Sequence, residues 1–200
     1  MLNDPEKASE NDPIEVRCYF VRERNALAVR ADFSTLYRDY YLHLMQHEIR
    51  HAPELDALLK DALAAVTLHL ASRPWNEATA WTLNNQNPLL NLFVTGGNRN
   101  GGVTGRLFTD GVKEADSSLF FVQTTADGAP TRQSTIEVTS DDFFTQVESY
   151  YQQSEQRPAR IFRHGPEDFV MVTAQPDCDL AWFESLDDDA IRKIDETETL

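Results

Sequence analysis

The stretch SYYQQSEQRPARIF, residues 149–162, joins a predicted helix directly to a predicted strand. Its first half has the apolar spacing of an amphipathic helix, and its last residues alternate as in a strand. Pro158 disfavours α geometry at the preceding residue, so the helix must end at or before Arg157. The segment QSEQ at this junction is therefore either a chemical site or the way in which this fold ends a helix.

A serine–glutamate pair is the first chemical interpretation of this segment. Adjacent helical residues point about 100° apart, so Ser154 and Glu155 do not face each other as nucleophile and base. No G-x-S-x-G elbow surrounds Ser154, and we expect the chain not to be an enzyme. An acid near a helix C-terminus is disfavoured by the helix dipole. We therefore expect Glu155 to be at least partly buried and paired, most simply with Arg157 or Arg160.

Outward from this junction, segments with strand and helix periodicity follow one another along the chain. The predicted elements are a hairpin within 14–31, helices at about 34–48 and 53–72, five strands within 78–139, a helix at about 140–156 with Ser140 as its N-cap, strands at 159–163 and 168–174, and a last helical stretch from about residue 179. Hairpin connections favour a mainly antiparallel sheet, and helices packed on such a sheet make an α+β fold.

The composition divides the chain into three parts and excludes several classes of partner. Residues 1–13 are polar and predicted to be disordered, 14–178 form the domain, and 179–200 form an acidic helical segment. The net charge of −15 opposes binding to nucleic acid or to an anionic membrane. Cys18 and Cys178 form no disulfide or zinc pattern, and no leader or membrane span is visible, so we expect a cytoplasmic protein.

Three histidines spaced four residues apart are the main candidates for metal ligands. His43 and His47 share one face of a predicted helix, whereas His51 lies in the predicted break after it. No carboxylate stands at a further i+4 step, so partly buried or surface histidines are the favoured interpretation and no metal is expected. The glycine-rich turn at 96–105 lacks G-K-[ST] and opens no helix, which argues against a nucleotide site.

The residues around QSEQ closely resemble the segment Y-F-x-Q-S-E-Q-x-P-T-R of the redox-regulated heat-shock chaperone family of thirty-three kilodaltons. The matching residues are Tyr150, Gln153, Ser154, Glu155, Gln156, Pro158 and Arg160. Other segments stand in the family's order, namely VRERNALAV at 21–29, RHAPELDALLKDALA at 50–64, NQNPLLNLFVTGG at 85–97 and DLAWFESL at 179–186. The likeness extends over about residues 21–186 at low identity outside QSEQ, and Asn85 and Asn87 occupy positions where the family has glycines.

The resemblance implies the family's N-terminal domain, a stress-response chaperone that binds unfolding proteins without ATP and dimerises when active. In the family, a linker and a zinc module with C-x-C and C-x-x-C follow this domain. Oxidation there releases zinc, unfolds the linker and exposes an apolar client-binding surface. None of those four cysteines is present, so either the chain is a piece of a longer protein or it lacks the zinc/disulfide switch.

This resemblance leaves two functions open. The first is an ATP-independent holdase without zinc or another cofactor, which binds unfolded or partly folded clients and forms homodimers. Client contacts are then expected at Trp182 and Phe183, where the family's linker packs, although a core role for both is at least as well supported. The alternative is a module that keeps the fold, binds one defined partner and has no general chaperone activity.

Overall fold

Nine β-strands and five α-helices are described in the computed structural model, which covers residues 14–99 and 101–198, with side chains to residue 193. The strands are β1 Val16–Val21, β2 Ala26–Asp32, β3 Glu77–Gln86, β4 Leu89–Gly97, β5 Gly102–Phe108, β6 Leu119–Ala126, β7 Arg132–Glu137, β8 Ala159–Arg163 and β9 Asp168–Ala174. The helices are α1 Ser34–Gln46, α2 Pro53–Ala71, α3 Phe143–Tyr150, α4 Leu180–Glu184 and α5 Asp188–Glu198. The predicted disordered segment 1–13 lies outside the described residues.

The strands form two antiparallel sheets rather than one. Sheet A has the order β1-β2-β9-β8, and sheet B has the order β5-β4-β3-β6-β7. Strands from the start and the end of the chain meet in sheet A, where β2 pairs with β9. The predicted α+β class with antiparallel pairing is confirmed. The boundary between the predicted 14–178 domain and the 179–200 segment stays a prediction.

Helix α2 packs against both sheets, which explains why its sequence is apolar nearly all round. It approaches sheet B closely at Gly105, where a Cβ atom would lie 2.9 Å from Leu59 Cδ1 of the helix and 2.8 Å from Val94 Cγ1 of the neighbouring strand β4. Any side chain at this position would push the helix off the sheet. Gly105 therefore allows the close contact between α2 and β5.

Helix α3 begins later than the sequence predicts. The predicted N-cap was Ser140, but Asp142 holds that position and accepts a hydrogen bond from the Thr145 N–H at 2.8 Å. The Ser140 hydroxyl instead accepts from the Asp142 N–H at 3.1 Å. Serine and aspartate both suit an N-cap, so the sequence alone does not separate the two positions.

The apolar side chains form two cores. The larger one lies around α2, between sheet A, sheet B and α3. The smaller one lies on the opposite face of sheet A, beneath α4 and α5. Its buried members are Ala26, Ala28, Phe162, Val170, Val172, Ala174, Phe183, Leu186 and Ile191. The central strands β2 and β9 of sheet A are therefore buried on both faces, and α4 with α5, here called the C-terminal helix pair, closes the outer face.

Candidate functional site

The QSEQ segment forms a single wide turn at the end of α3. Residues Tyr151–Glu155 are π-helical, and Gln156 follows in the left-handed conformation with φ of 54°. The carbonyl of Tyr151 accepts hydrogen bonds from the backbone N–H groups of Gln156 and Arg157. The helix thus ends before Arg157, as predicted. Two backbone donors thus share the Tyr151 carbonyl at the helix end, and β8 begins three residues after Gln156.

Glu155 is buried by this turn and lies against a positive charge. Its side chain is 10% exposed, and its carboxylate accepts from the Tyr150 hydroxyl at 2.6 Å and from Arg73 Nη1 at 2.9 Å. The prediction that Glu155 is buried and paired is therefore confirmed. The predicted partners, Arg157 and Arg160, are wrong, because the charge comes from the end of α2, 82 residues away.

The two arginines close to Glu155 in sequence have other contacts. The guanidinium of Arg157 lies over the ring of Tyr151, with its central carbon 5.5 Å from the ring centroid. Arg160 donates a hydrogen bond to the Leu186 carbonyl, at the junction between α4 and α5. Arg160 therefore connects the strand after the QSEQ turn to the C-terminal helix pair.

Arg73 also binds a second buried carboxylate. Its Nε lies 2.6 Å from Glu77 Oε2, and both side chains are about one-tenth exposed. Arg132 on β7 approaches the same pair of acids, 3.4 Å from Glu77 and 4.0 Å from Glu155. Burial alone would raise the pKa of Glu155, but the Tyr150 hydrogen bond and the charges of Arg73, Arg132 and Arg157 hold it below its usual value.

This ion cluster, formed by Arg73, Glu77, Arg132 and Glu155, joins four elements of the fold. Arg73 follows α2, Glu77 opens β3, Arg132 opens β7, and Glu155 ends the π-helical turn. Both carboxylates accept hydrogen bonds from arginine side chains inside or beside the larger core. The arrangement fixes the end of α3 against α2 and sheet B, which is a positioning role.

A buried histidine lies beside the cluster. His69 Nδ1 is 2.7 Å from the Tyr151 hydroxyl, and its ring meets Trp81 edge-on at 5.1 Å between centroids. Burial, reinforced by the charges of Arg73 and Arg157, lowers the pKa of His69 to about 3. His69 is therefore neutral at physiological pH. The only sequence signal for it is its place on the apolar helix α2, which does not distinguish it from a core residue.

The neutral state of His69 predicts a loss of stability in mild acid. The unfolded chain takes up the His69 proton near pH 6.5, whereas the folded chain resists it down to about pH 3, so stability falls as the pH drops below 6.5. Between pH 7 and pH 5 the free energy of unfolding should decrease by about 2 kcal/mol from this residue. Urea titrations at both pH values measure the decrease.

His69→Gln tests this assignment. Glutamine does not titrate. The fall in the free energy of unfolding between pH 7 and pH 5 should therefore be about 2 kcal/mol smaller in H69Q than in the wild type. His47→Gln is the matched control because His47 is exposed, and it should keep the wild-type pH dependence. An H69Q variant with the full wild-type decrease would show that another group is responsible.

The histidines singled out in the sequence lie away from the ion cluster. His43 on α1 and His47 at its C-cap are exposed, with ring centroids 4.4 Å apart, and His51 follows the end of that helix. Within residues 14–99 and 101–198, no group of three or more histidine, cysteine, aspartate or glutamate side chains is placed to hold a metal ion. None of the described helices is long and apolar enough to cross a membrane.

The predicted client contacts lie in the C-terminal helix pair. Trp182 is half-buried, and the guanidinium of Arg24 lies 5.8 Å from its ring centroid. Phe183 is 3% exposed and packs in the smaller core. Phe183 is therefore inaccessible while α4 stays in place, and its contact with a client stays a prediction.

Comparison with known proteins finds a likeness in structure and none in sequence. No protein-family model matches the chain, and no curated protein matches it in sequence. The structure resembles the crystal structure of the 33 kDa chaperonin (heat shock protein 33 homologue) of Thermotoga maritima, with a TM-score of 0.61 and 10% sequence identity. The alignment covers 92% of this chain and 66% of that chain. At this identity the likeness establishes a shared fold, which is the fold that the QSEQ resemblance implies.

Proposed function

We propose that this chain is an ATP-independent holdase, which binds unfolding proteins in the cytoplasm and prevents their aggregation without a cofactor. The observation that carries the proposal is the burial of the central strands of sheet A, β2 and β9, on both faces. In β9, Phe169 and Met171 belong to the larger core, whereas Val170 and Val172 point the other way, into the smaller core. An antiparallel sheet with one face in water would carry polar side chains at the latter positions.

The outer face of sheet A is covered by very little structure. Helix α4 has five residues and α5 has eleven, and isolated helices of such lengths are unstable in water. Up to residue 193, the buried side chains that hold the pair are those of Phe183, Leu186 and Ile191. The ion pair between Arg24 and Asp179 adds little, because both side chains are more than one-third exposed.

Displacement of the C-terminal helix pair would expose a continuous apolar strip of sheet A. The strip consists of Ala26, Ala28, Phe162, Val170, Val172 and Ala174. Such a surface suits apolar segments of an unfolding polypeptide, which bind by burying area rather than through one specific contact. The net charge of −15 would keep a loaded complex in solution.

An aggregation assay tests the proposal. A thermally unfolding client is heated with the full chain, and light scattering is recorded under reducing and oxidising conditions and with a zinc chelator. We expect suppression at substoichiometric to stoichiometric amounts, equal in all three conditions because the four switch cysteines of the resembled family are absent. A heat-stable protein of similar net charge is the control for nonspecific effects. Unchanged scattering in every condition would overturn the holdase proposal and favour a module with one defined partner.

A further inference from the structure

The second half of α1 and the turn after it carry large apolar side chains that are exposed to solvent. They are Tyr41, Leu42, Met45 and Ile49, here called the α1 patch. Met45 is 76% exposed, and the other three are between 39% and 49% exposed. Nine large apolar side chains are exposed among the described residues, and these four lie within nine consecutive positions. Exposed apolar residues that are scattered singly need no explanation, but such a group marks an interaction surface.

The α1 patch is a second apolar face on one helix. Leu36, Tyr37 and Tyr40 pack on the larger core. The helical members of the patch are grouped within about 100° of the helix circumference, on another side of α1. A surface helix needs only one apolar face for its own packing. The fold of this chain therefore does not account for the second face.

Ile49 joins the patch through the turn that ends α1. Its N–H donates to the Leu44 carbonyl at 2.9 Å, and the Glu48 N–H donates to the Met45 carbonyl at 3.4 Å. Glu48 has a φ of 54°, which is the left-handed conformation that this type of helix end requires. The chain is thereby folded back on the last turn of α1, and Ile49 stays beside the helix.

Three tyrosines hold the patch in a fixed position against α2. The Tyr37 hydroxyl donates to the Lys60 carbonyl at 3.0 Å. The hydroxyls of Tyr40 and Tyr41 donate to the two carboxylate oxygens of Asp56, each at 2.8 Å. The ammonium group of Lys60 lies 5.2 Å from the centroid of the Tyr41 ring. A partner that binds a surface fixed in this way does not have to order it first, which favours binding.

The surroundings of the patch carry no net charge. Residues 34–52 contain two arginines, Arg38 and Arg50, and two acids, Asp39 and Glu48, whereas the whole chain has a net charge of −15. An acidic or neutral polypeptide is therefore repelled less here than over most of the surface. Leucine and methionine side chains are flexible and adapt to different partner sequences.

We propose that the α1 patch makes the first contact with apolar segments of an unfolding protein. The inference rests on the holdase function proposed above and adds a second contact surface to it. A holdase without the four switch cysteines needs apolar surface that is accessible without an activation step. The outer face of sheet A lies beneath the C-terminal helix pair, whereas the α1 patch is open in the folded chain. An unfolding protein is the occupant that matches an adaptable apolar surface without net charge.

A double substitution that removes apolar side chains without adding charge tests the patch. Leu42→Gln/Met45→Gln keeps good helix formers at two exposed positions, so circular dichroism should show the wild-type fold. In the aggregation assay, about three times as much of the double variant as of the wild type should be needed for equal suppression. Phe108→Gln is the matched control, because it removes an exposed apolar side chain from sheet B, and it should match the wild type.

Fluorescence anisotropy with a labelled peptide separates this inference from the holdase function. The probe is an unstructured peptide that contains three leucines and has no net charge. Its dissociation constant should be about tenfold higher for L42Q/M45Q than for the wild type, and unchanged for F108Q. If the wild type does not suppress aggregation, the holdase function is overturned, and the peptide then tests the patch by itself.

Two results would overturn the α1 patch as the contact surface. One is equal peptide binding by the wild type and L42Q/M45Q, or no binding by either, even where the wild type suppresses aggregation. The other comes from sedimentation velocity of the chain alone. A dimer that the wild type forms and L42Q/M45Q does not form would assign the patch to a second copy of the chain.

Discussion

Arg73→Met is expected to lower the free energy of unfolding by about 3–5 kcal/mol, because it leaves two buried carboxylates without their main partner. Arg73 is 11% exposed, and the side chains of Glu77 and Glu155 are 9% and 10% exposed. Each acid has given up most of its hydration and depends on the guanidinium for compensation. Methionine keeps the packing of the side-chain stem but supplies no donor. Urea denaturation at pH 7 measures the loss.

An exposed ion pair supplies the control for R73M. Arg99 and Asp127 are 3.2 Å apart, but their side chains are 66% and 67% exposed. Arg99→Met should therefore change the free energy of unfolding by less than about 1 kcal/mol. If R73M and R99M lose similar amounts of unfolding free energy, the ion cluster contributes no more to stability than a surface ion pair.

The pH dependence of R73M separates the charge effect from a packing defect. In R73M we expect the pKa of Glu155 to rise, because burial still favours the protonated acid and the charge of Arg73 no longer opposes it. A buried carboxyl with a raised pKa favours the folded state when it is protonated. The loss of unfolding free energy caused by R73M should therefore be smaller at pH 5 than at pH 7. A double-mutant cycle with Glu155→Gln should show a coupling energy between the two side chains of at least 1 kcal/mol. A penalty independent of pH would point to a cavity instead.

The sequence predicted the ion cluster in part. Pro158 and the apolar spacing located the end of the helix, and the helix dipole indicated that Glu155 needs a partner. Local sequence could not identify Arg73, because an ion pair between residues 82 positions apart depends on the packing of α2 against α3. His69 was missed for the same reason, since a histidine on an apolar helix gives no sign of which hydroxyl it will meet.

The two faces of sheet A show a second limit of sequence reasoning. The run DFVMVTA at 168–174 was predicted as a strand, and it is β9. An unbroken apolar strand is buried on both faces, but its sequence does not say what covers each face. The C-terminal helix pair provides one of the two covers, and Trp182 and Phe183 could be assigned to a core role only after the strand order was known.

Phe183→Ala is expected to open the C-terminal helix pair without unfolding the rest of the chain. Truncating a buried phenylalanine costs about 3–5 kcal/mol, and in this small core the loss falls on two short helices. Amide hydrogen exchange at residues 180–193 should accelerate about a hundredfold, because 3 kcal/mol corresponds to that factor. Amides of β3 and β4, beside the larger core, should exchange as in the wild type. Leu180→Ala is the control, since Leu180 on the same helix is 51% exposed.

The holdase assay of F183A distinguishes two roles for Phe183. If the outer face of sheet A binds clients and the helix pair covers it, F183A should suppress aggregation at a lower molar ratio than the wild type, while L180A should match the wild type. If Phe183 itself binds clients, the same variant should suppress aggregation less well. Faster exchange without any change in suppression would exclude the outer face of sheet A as the client surface, because that face would then be exposed and still not bind.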